Sequence, residues 1–101
     1  MRRPLSAVAQ ELAVAHREAD TNTTTIMLFP SSQNDEIHLL EVSTTAPTTG
    51  EVLPFGFAAD PAHGVEYPSV VILLSPEEWQ QVEHGALSLP TGWNLADAEN
   101  L

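Results

Sequence analysis

Apolar positions recur at offsets of three and four near the start of the chain, where Leu5, Val8, Ala9, Leu12, His16 and Ala19 form one stripe. That spacing is the period of an α-helix with one buried face, and Pro4 suits a first helical position. Ala7, Ala13 and Ala15 add intrinsic helix preference. Asp20-Thr21-Asn22 then supplies turn residues, so the pattern predicts a helix over about residues 4–19. Beyond it the period shortens to two. Thr24, Ile26 and Leu28 alternate with Thr25, Met27 and Phe29; Ile37 and Leu39 alternate with His38, Leu40 and Val42. These runs predict strands over 23–29 and 36–43, joined through Pro30–Asp35 as an antiparallel hairpin.

A third alternating run, 51–59, puts Leu53, Phe55, Phe57 and Ala59 on one face, with Pro54 and Gly56 on the other. Proline has no amide hydrogen to give to a ladder, so this strand is expected at a sheet edge or at a bulge. Asp60-Pro61-Ala62-His63-Gly64 reads as a turn. The segment Tyr67–Leu74 holds the unbroken apolar run Val70–Leu74, expected as a strand buried on both faces at the centre of the sheet. Ser75, Pro76 and Glu78 are spaced as a capping box with proline at the first helical position. Trp79 and Val82 give that helix an inward face, and Gly85 marks its stop. Ala86–Trp93 carries Leu87 and Leu89 and reads as an extended segment packing back on the core.

The pattern therefore predicts an α+β fold in the order α-β-β-β-β-α. A four-stranded, mainly antiparallel sheet is covered by an N-terminal helix, a short C-terminal helix, or both. Ile26, Leu28, Phe55, Phe57, Val71 and Leu73 are expected to supply much of the core. Residues 1–93 form a single domain, and 94–101 form an acidic tail whose composition favours disorder.

Charge narrows the function classes. Fourteen acidic residues stand against three basic ones, Arg2, Arg3 and Arg17, for a net charge of −11 and no lysine. From Glu18 onward there are thirteen carboxylates and neither Lys nor Arg. Nucleic-acid phosphates and anionic lipid surfaces are bound through cationic side chains, so both kinds of partner are excluded in expectation. Schiff-base and P-loop chemistry fall with the missing lysine. The chain has no cysteine, which removes disulfides and thiolate catalysis and fits a reducing compartment. Met1-Arg2-Arg3-Pro4 is basic, but no apolar h-region follows, and Val70–Leu74 is too short to cross a bilayer. The expectation is a soluble cytoplasmic protein without a membrane or nucleic-acid partner.

Candidate chemistry is sparse. His16 and His38 lie within apolar patterns and read as packing residues, while His84, at a helix end, suits the helix dipole. Asp60, His63 and Glu66 share one loop at spacings of three, which gives an alternative reading as a small metal- or ligand-binding domain or enzyme. Against it, Asp-Pro-Ala-His-Gly is ordinary turn material, and no H-E-x-x-H pattern or second histidine is near in sequence. No G-x-S-x-G elbow or glycine-rich phosphate loop occurs, and adjacent carboxylates such as Glu77-Glu78 point apart. Neither a cofactor nor a metal is expected, and no catalytic residue is assigned.

The remaining lead is aromatic. Phe55, Phe57 and Trp79 read as core, whereas Tyr67 and Trp93 sit beside Pro68 and Gly92 at loop ends and are expected to be partly exposed, in a partner-binding patch. The leading expectation is thus a small acidic protein-interaction module (adaptor, regulator or inhibitor-like subunit) without catalytic activity. Its partner is another protein, with a basic one favoured by steering, or a second copy pairing through the 51–59 edge strand.

Overall fold

The computed structural model describes residues 4–30, 36–50, 52, 54–57 and 67–101. The first helix, α1, spans Leu5–Ala19 and buries Val8, Ala9 and Ala13. Strands β1 (Thr23–Phe29) and β2 (Ile37–Ser43) follow as the expected antiparallel pair, with Ile26 opposite Glu41 and Leu28 opposite Leu39. Strand β3 (Pro54–Phe57) pairs antiparallel with β4 (Ser69–Leu74), and β4 runs parallel to β2. Helix α2 covers Pro76–Glu83, and a 3₁₀ turn at Leu95–Asp97 leads into β5, Glu99–Asn100. The fold is α+β, with a helix before and a short helix after the four longer strands.

Among the described residues the sheet has five strands in the order β3-β4-β2-β1-β5. Pro54 is in an edge strand, where its missing amide hydrogen harms no interior ladder. Two expectations shift. β2, rather than the Val70–Leu74 strand, is central, and six of its seven residues are buried. In addition, the segment predicted as an acidic tail returns to the sheet. β5 pairs with Met27 and Leu28 of β1, the Leu101 amide donates to the Ile26 carbonyl at 3.0 Å, and Arg17 Nη2 donates to the Leu101 carbonyl at 2.7 Å. Polar composition hid this because the pairing uses main-chain groups, while the side chains of Glu99 and Asn100 stay exposed.

The two faces of the sheet carry separate cores. Val8, Ala9 and Ala13 of α1 pack with Ile26, Leu28, Ile37, Leu39 and Val71. Val82 of α2 packs with Met27, Phe29, Leu40, Val42, Ile72 and Leu74 on the opposite face, with Trp79 against them. The helices therefore lie on opposite sides, which is why β1 and β2 carry runs of buried residues in place of an in-out alternation. Leu73, expected in the core, is 41% exposed. It shares the strand face of Val71, which belongs to the α1-side core, but Leu73 itself is not among the residues of that core. Leu73→Ser should accordingly change stability by less than about 1 kcal/mol in a urea titration. The assignment of Phe55 and Phe57 to the core concerns side chains outside the described residues.

Helix α2 ends as its sequence predicts. Gly85 has φ +77°, its amide donates to Val82, and the Ala86 amide donates to Gln81 at 2.8 Å. This is a Schellman ending, with glycine in the left-handed region. A Cβ at Gly85 would meet nothing within 4 Å, so only backbone strain opposes a side chain there. Gly85→Ala should therefore cost about 1 kcal/mol, read by chemical denaturation.

Candidate functional site

Two polar seams join the layers. In the first, the phase of the α1 stripe and the phase of β2 bring His16 over Glu41, and Nδ1 lies 2.5 Å from Glu41 Oε2. Glu41 is 6% exposed, on the same face as Ile37 and Leu39. The hydrogen bond to this carboxylate raises the His16 pKa above its ordinary 6.5, its negative charge adds to the rise, and burial partly opposes it. One helical turn further on, Asp20 accepts from Ser43 Oγ at 2.8 Å and from the Asn22 amide at 2.9 Å, while Thr45 lies 2.9 Å from Ser43 Oγ. The Ser43 hydroxyl, then the Asn22 amide, holds the Asp20 carboxyl below its usual range.

An imidazole oriented by a buried carboxylate is half of a nucleophile-activating arrangement. The other half is missing: among the described residues no hydroxyl is hydrogen-bonded to His16 Nε2, and Ser43 and Thr45 are engaged with Asp20. The seam fastens α1 to β2.

The second seam is at the start of α2. Ser75 Oγ accepts from the Glu78 amide at 3.2 Å and from Thr48 Oγ1 at 2.9 Å, and donates to Glu78 Oε1 at 3.2 Å. A hydroxyl has one proton and two lone pairs, so its hydrogen-bonding capacity is filled. Glu78 Oε1 also accepts the Ser75 amide at 3.2 Å, closing the capping box. Its Oε2 accepts the Thr49 amide at 3.3 Å and the Gly50 amide at 3.1 Å. Glu78, 1% exposed, thus fastens the loop after β2 to α2 through one carboxylate.

Tyr67 and Trp93 do not form an exposed patch: they are 7% and 9% exposed and sit on opposite faces of the sheet. Tyr67 joins the α1 core because the Ile37 amide donates to the Pro68 carbonyl at 2.9 Å, tying the entry of β4 to β2. Trp93 is turned inward by a tight turn, in which its amide donates to the Pro90 carbonyl at 3.1 Å with Gly92 at φ +92°. Its ring stacks on His38 at 4.8 Å with a 6° interplanar angle, and tilts against Phe29 at 5.1 Å. His38 Nε2 lies 2.9 Å from Glu36 Oε2. Flanking proline and glycine, the basis for expecting exposure, are the residues that redirect these rings into the core.

Asp60, His63 and Glu66 lie outside the described residues. Among the described residues no group of three or more His, Asp or Glu side chains is placed to hold a metal ion, and no helix is long and apolar enough to cross a membrane.

A cleft of about 580 Å³ lies between the end of α2 and the segment 87–95. Val82, Leu87, Leu89 and Trp93 give it apolar walls, with Ser88, Thr91 and Asn94 between them. Sequence reading missed it because it arises from two chain reversals, at Gly85 and Gly92, that fold an extended segment beside a helix end. Elsewhere the surface is anionic: every described carboxylate except Glu41 and Glu78 is at least partly exposed. Compared with protein-family models, curated proteins and solved structures, the chain matches none.

Proposed function

We propose that the protein is a small acidic interaction module, an adaptor, regulator or inhibitor-like subunit that binds a basic protein. The observation that carries this reading is the one-sided charge: −11 over 101 residues, with no Lys or Arg after Arg17. Arg17 is itself occupied on the Leu101 carbonyl, and the surface carboxylates lie on both helices and near β5. Such a field accelerates encounter with a cationic surface and repels anionic competitors. A cytoplasmic setting is part of the same reading.

The test is affinity capture from the native host, followed by binding of the purified partner across a salt series. A basic partner is expected, with affinity falling as salt rises, because exposed charges are screened within about 10 Å at 0.1 M salt. A partner of neutral or acidic charge held equally well at high salt overturns the reading. Self-association is a second reading, favoured by β3 lying at one end of the strand order among the described residues. Light scattering on the eluted peak tests it, and a strict monomer across the accessible concentration range removes it.

A further inference from the structure

The cleft beside α2 combines three properties that an extended peptide would use. Its apolar wall is rigidly backed: Val82 and Trp93 are core residues, and Leu87, Leu89 and Leu95 pack partly against the same core. Next to that wall runs a stretch with unused main chain. Among the described residues, the amides and carbonyls of Ser88 and Leu89 make no main-chain hydrogen bond, and Ser88 is exposed. An exposed main chain beside side-chain pockets is the combination by which extended peptides are held, the backbone supplying affinity and the pocket selectivity.

The third property is charge. No charged residue lines the cleft itself, but Glu83 follows Val82 of the wall in sequence, and Asp97 ends the 3₁₀ turn that begins at the lining residue Leu95; both are exposed. No arginine or lysine occurs anywhere in this half of the chain to offset them. A volume of about 580 Å³ lies within the range of pockets that take small ligands, and is enough for one or two side chains rather than a folded domain.

We propose that this cleft docks an extended segment of a basic protein. One apolar side chain of the segment enters between Leu89 and Val82, its backbone pairs with Ser88 and Leu89, and flanking lysines or arginines sit near Glu83 and Asp97. This rests on the acidic-module reading and gives it a location and a ligand class.

The test pans a random-peptide phage library against the full chain, then maps the selected synthetic peptides by amide chemical shifts. Selected peptides are expected to carry an apolar residue flanked by Lys or Arg, with shifts concentrated at residues 82–97. Glu83→Lys with Asp97→Lys should weaken them about tenfold or more, since like charges are then opposed. Thr91→Trp, which fills the mouth from an exposed position, should weaken them comparably. Val14→Ser, on the outer face of α1, should leave them unchanged, and circular dichroism of each variant confirms that it is folded. Cationic peptides that shift residues elsewhere overturn the cleft and leave the acidic-module reading standing. Selected peptides without Lys or Arg, wherever they bind, overturn the proposal, as does a library that yields no binder. The acidic-module reading itself falls on the separate salt series with the captured partner.

Discussion

Glu78→Ala is expected to destabilise the fold by about 3–5 kcal/mol. The reason is the number of donors that share one carboxylate. Truncation removes the acceptor of the Ser75 amide and hydroxyl on Oε1, and of the Thr49 and Gly50 amides on Oε2. Ser75 is almost fully enclosed, so its amide and hydroxyl do not simply exchange the lost acceptor for water, whereas the Thr49 and Gly50 amides belong to exposed residues and can be hydrated. Glu78→Gln sharpens the test. An amide keeps the shape but offers one oxygen, so either the Ser75 pair or the loop pair then faces an N–H₂ group. It should therefore recover only part of the loss. Glu77→Ala, one position away and exposed, should change stability by less than about 0.5 kcal/mol. Thermal unfolding separates these outcomes readily, since each kcal/mol moves the midpoint of a domain this size by roughly 4–8 °C. A Glu78→Ala variant that melts with the wild type would mean that the loop after β2 is not fastened through this carboxylate.

The contrast between Glu77 and Glu78 also shows how far local sequence reasoning reaches. Ser75, Pro76 and Glu78 announce the start of α2 because a capping box involves neighbours only three residues apart. The loop amides that complete the site come from residues nearly thirty positions earlier, and no local spacing encodes them. The same boundary divides the rest of the fold. Periodicity places α1, β1, β2, β4 and α2, and Pro54 marks an edge strand, because each rests on short-range geometry. Pairing order is a long-range property, so the centrality of β2 and its parallel pairing with β4 emerge only in the fold. Short β5 is invisible for a related reason: Glu99 and Asn100 contribute main-chain hydrogen bonds and no apolar pattern. Trp93 fails in the opposite direction. Its Gly92 neighbour reads as a marker of a loop, and it is one, but the turn aims the ring at His38 and Phe29. The cleft beside it depends on both turns at once. The seam at His16 was partly legible, since His16 keeps the phase of Leu5 and Leu12, and Glu41 keeps the phase of Ile37 and Leu39. What the two phases do not reveal is that the two faces meet.

That meeting makes the His16–Glu41 pair the second place where one substitution should matter greatly. His16→Leu leaves Glu41, 6% exposed, as a carboxylate without its imidazole partner, and should cost about 3 kcal/mol. Adding Glu41→Leu should restore much of that loss, because the double variant buries two apolar side chains between α1 and β2 where Ile26 and Leu39 already lie. The non-additivity, and not either single value, is the signature of a buried pair. The pH dependence has a definite sign. Folding raises the His16 pKa above 6.5, so the folded state binds the proton more tightly than the unfolded chain. This contribution is fully present below pH 6.5 and is lost as pH rises through the folded-state value. A neutral imidazole with its proton on Nδ1 still donates to Glu41, so the hydrogen bond survives while the charge attraction goes. Wild-type stability should thus decline over that window, whereas His16→Leu should be flatter across it. Asp20 acts in a separate acid window: its carboxyl is lowered below 3.8, so its contribution is present above that value and is lost as pH falls through the folded-state value. Urea titrations at a series of pH values, with the His16 ring followed by NMR, distinguish the two. If the slope above pH 6.5 is the same in wild type and in His16→Leu, then His16 is not the group that couples α1 docking to protonation.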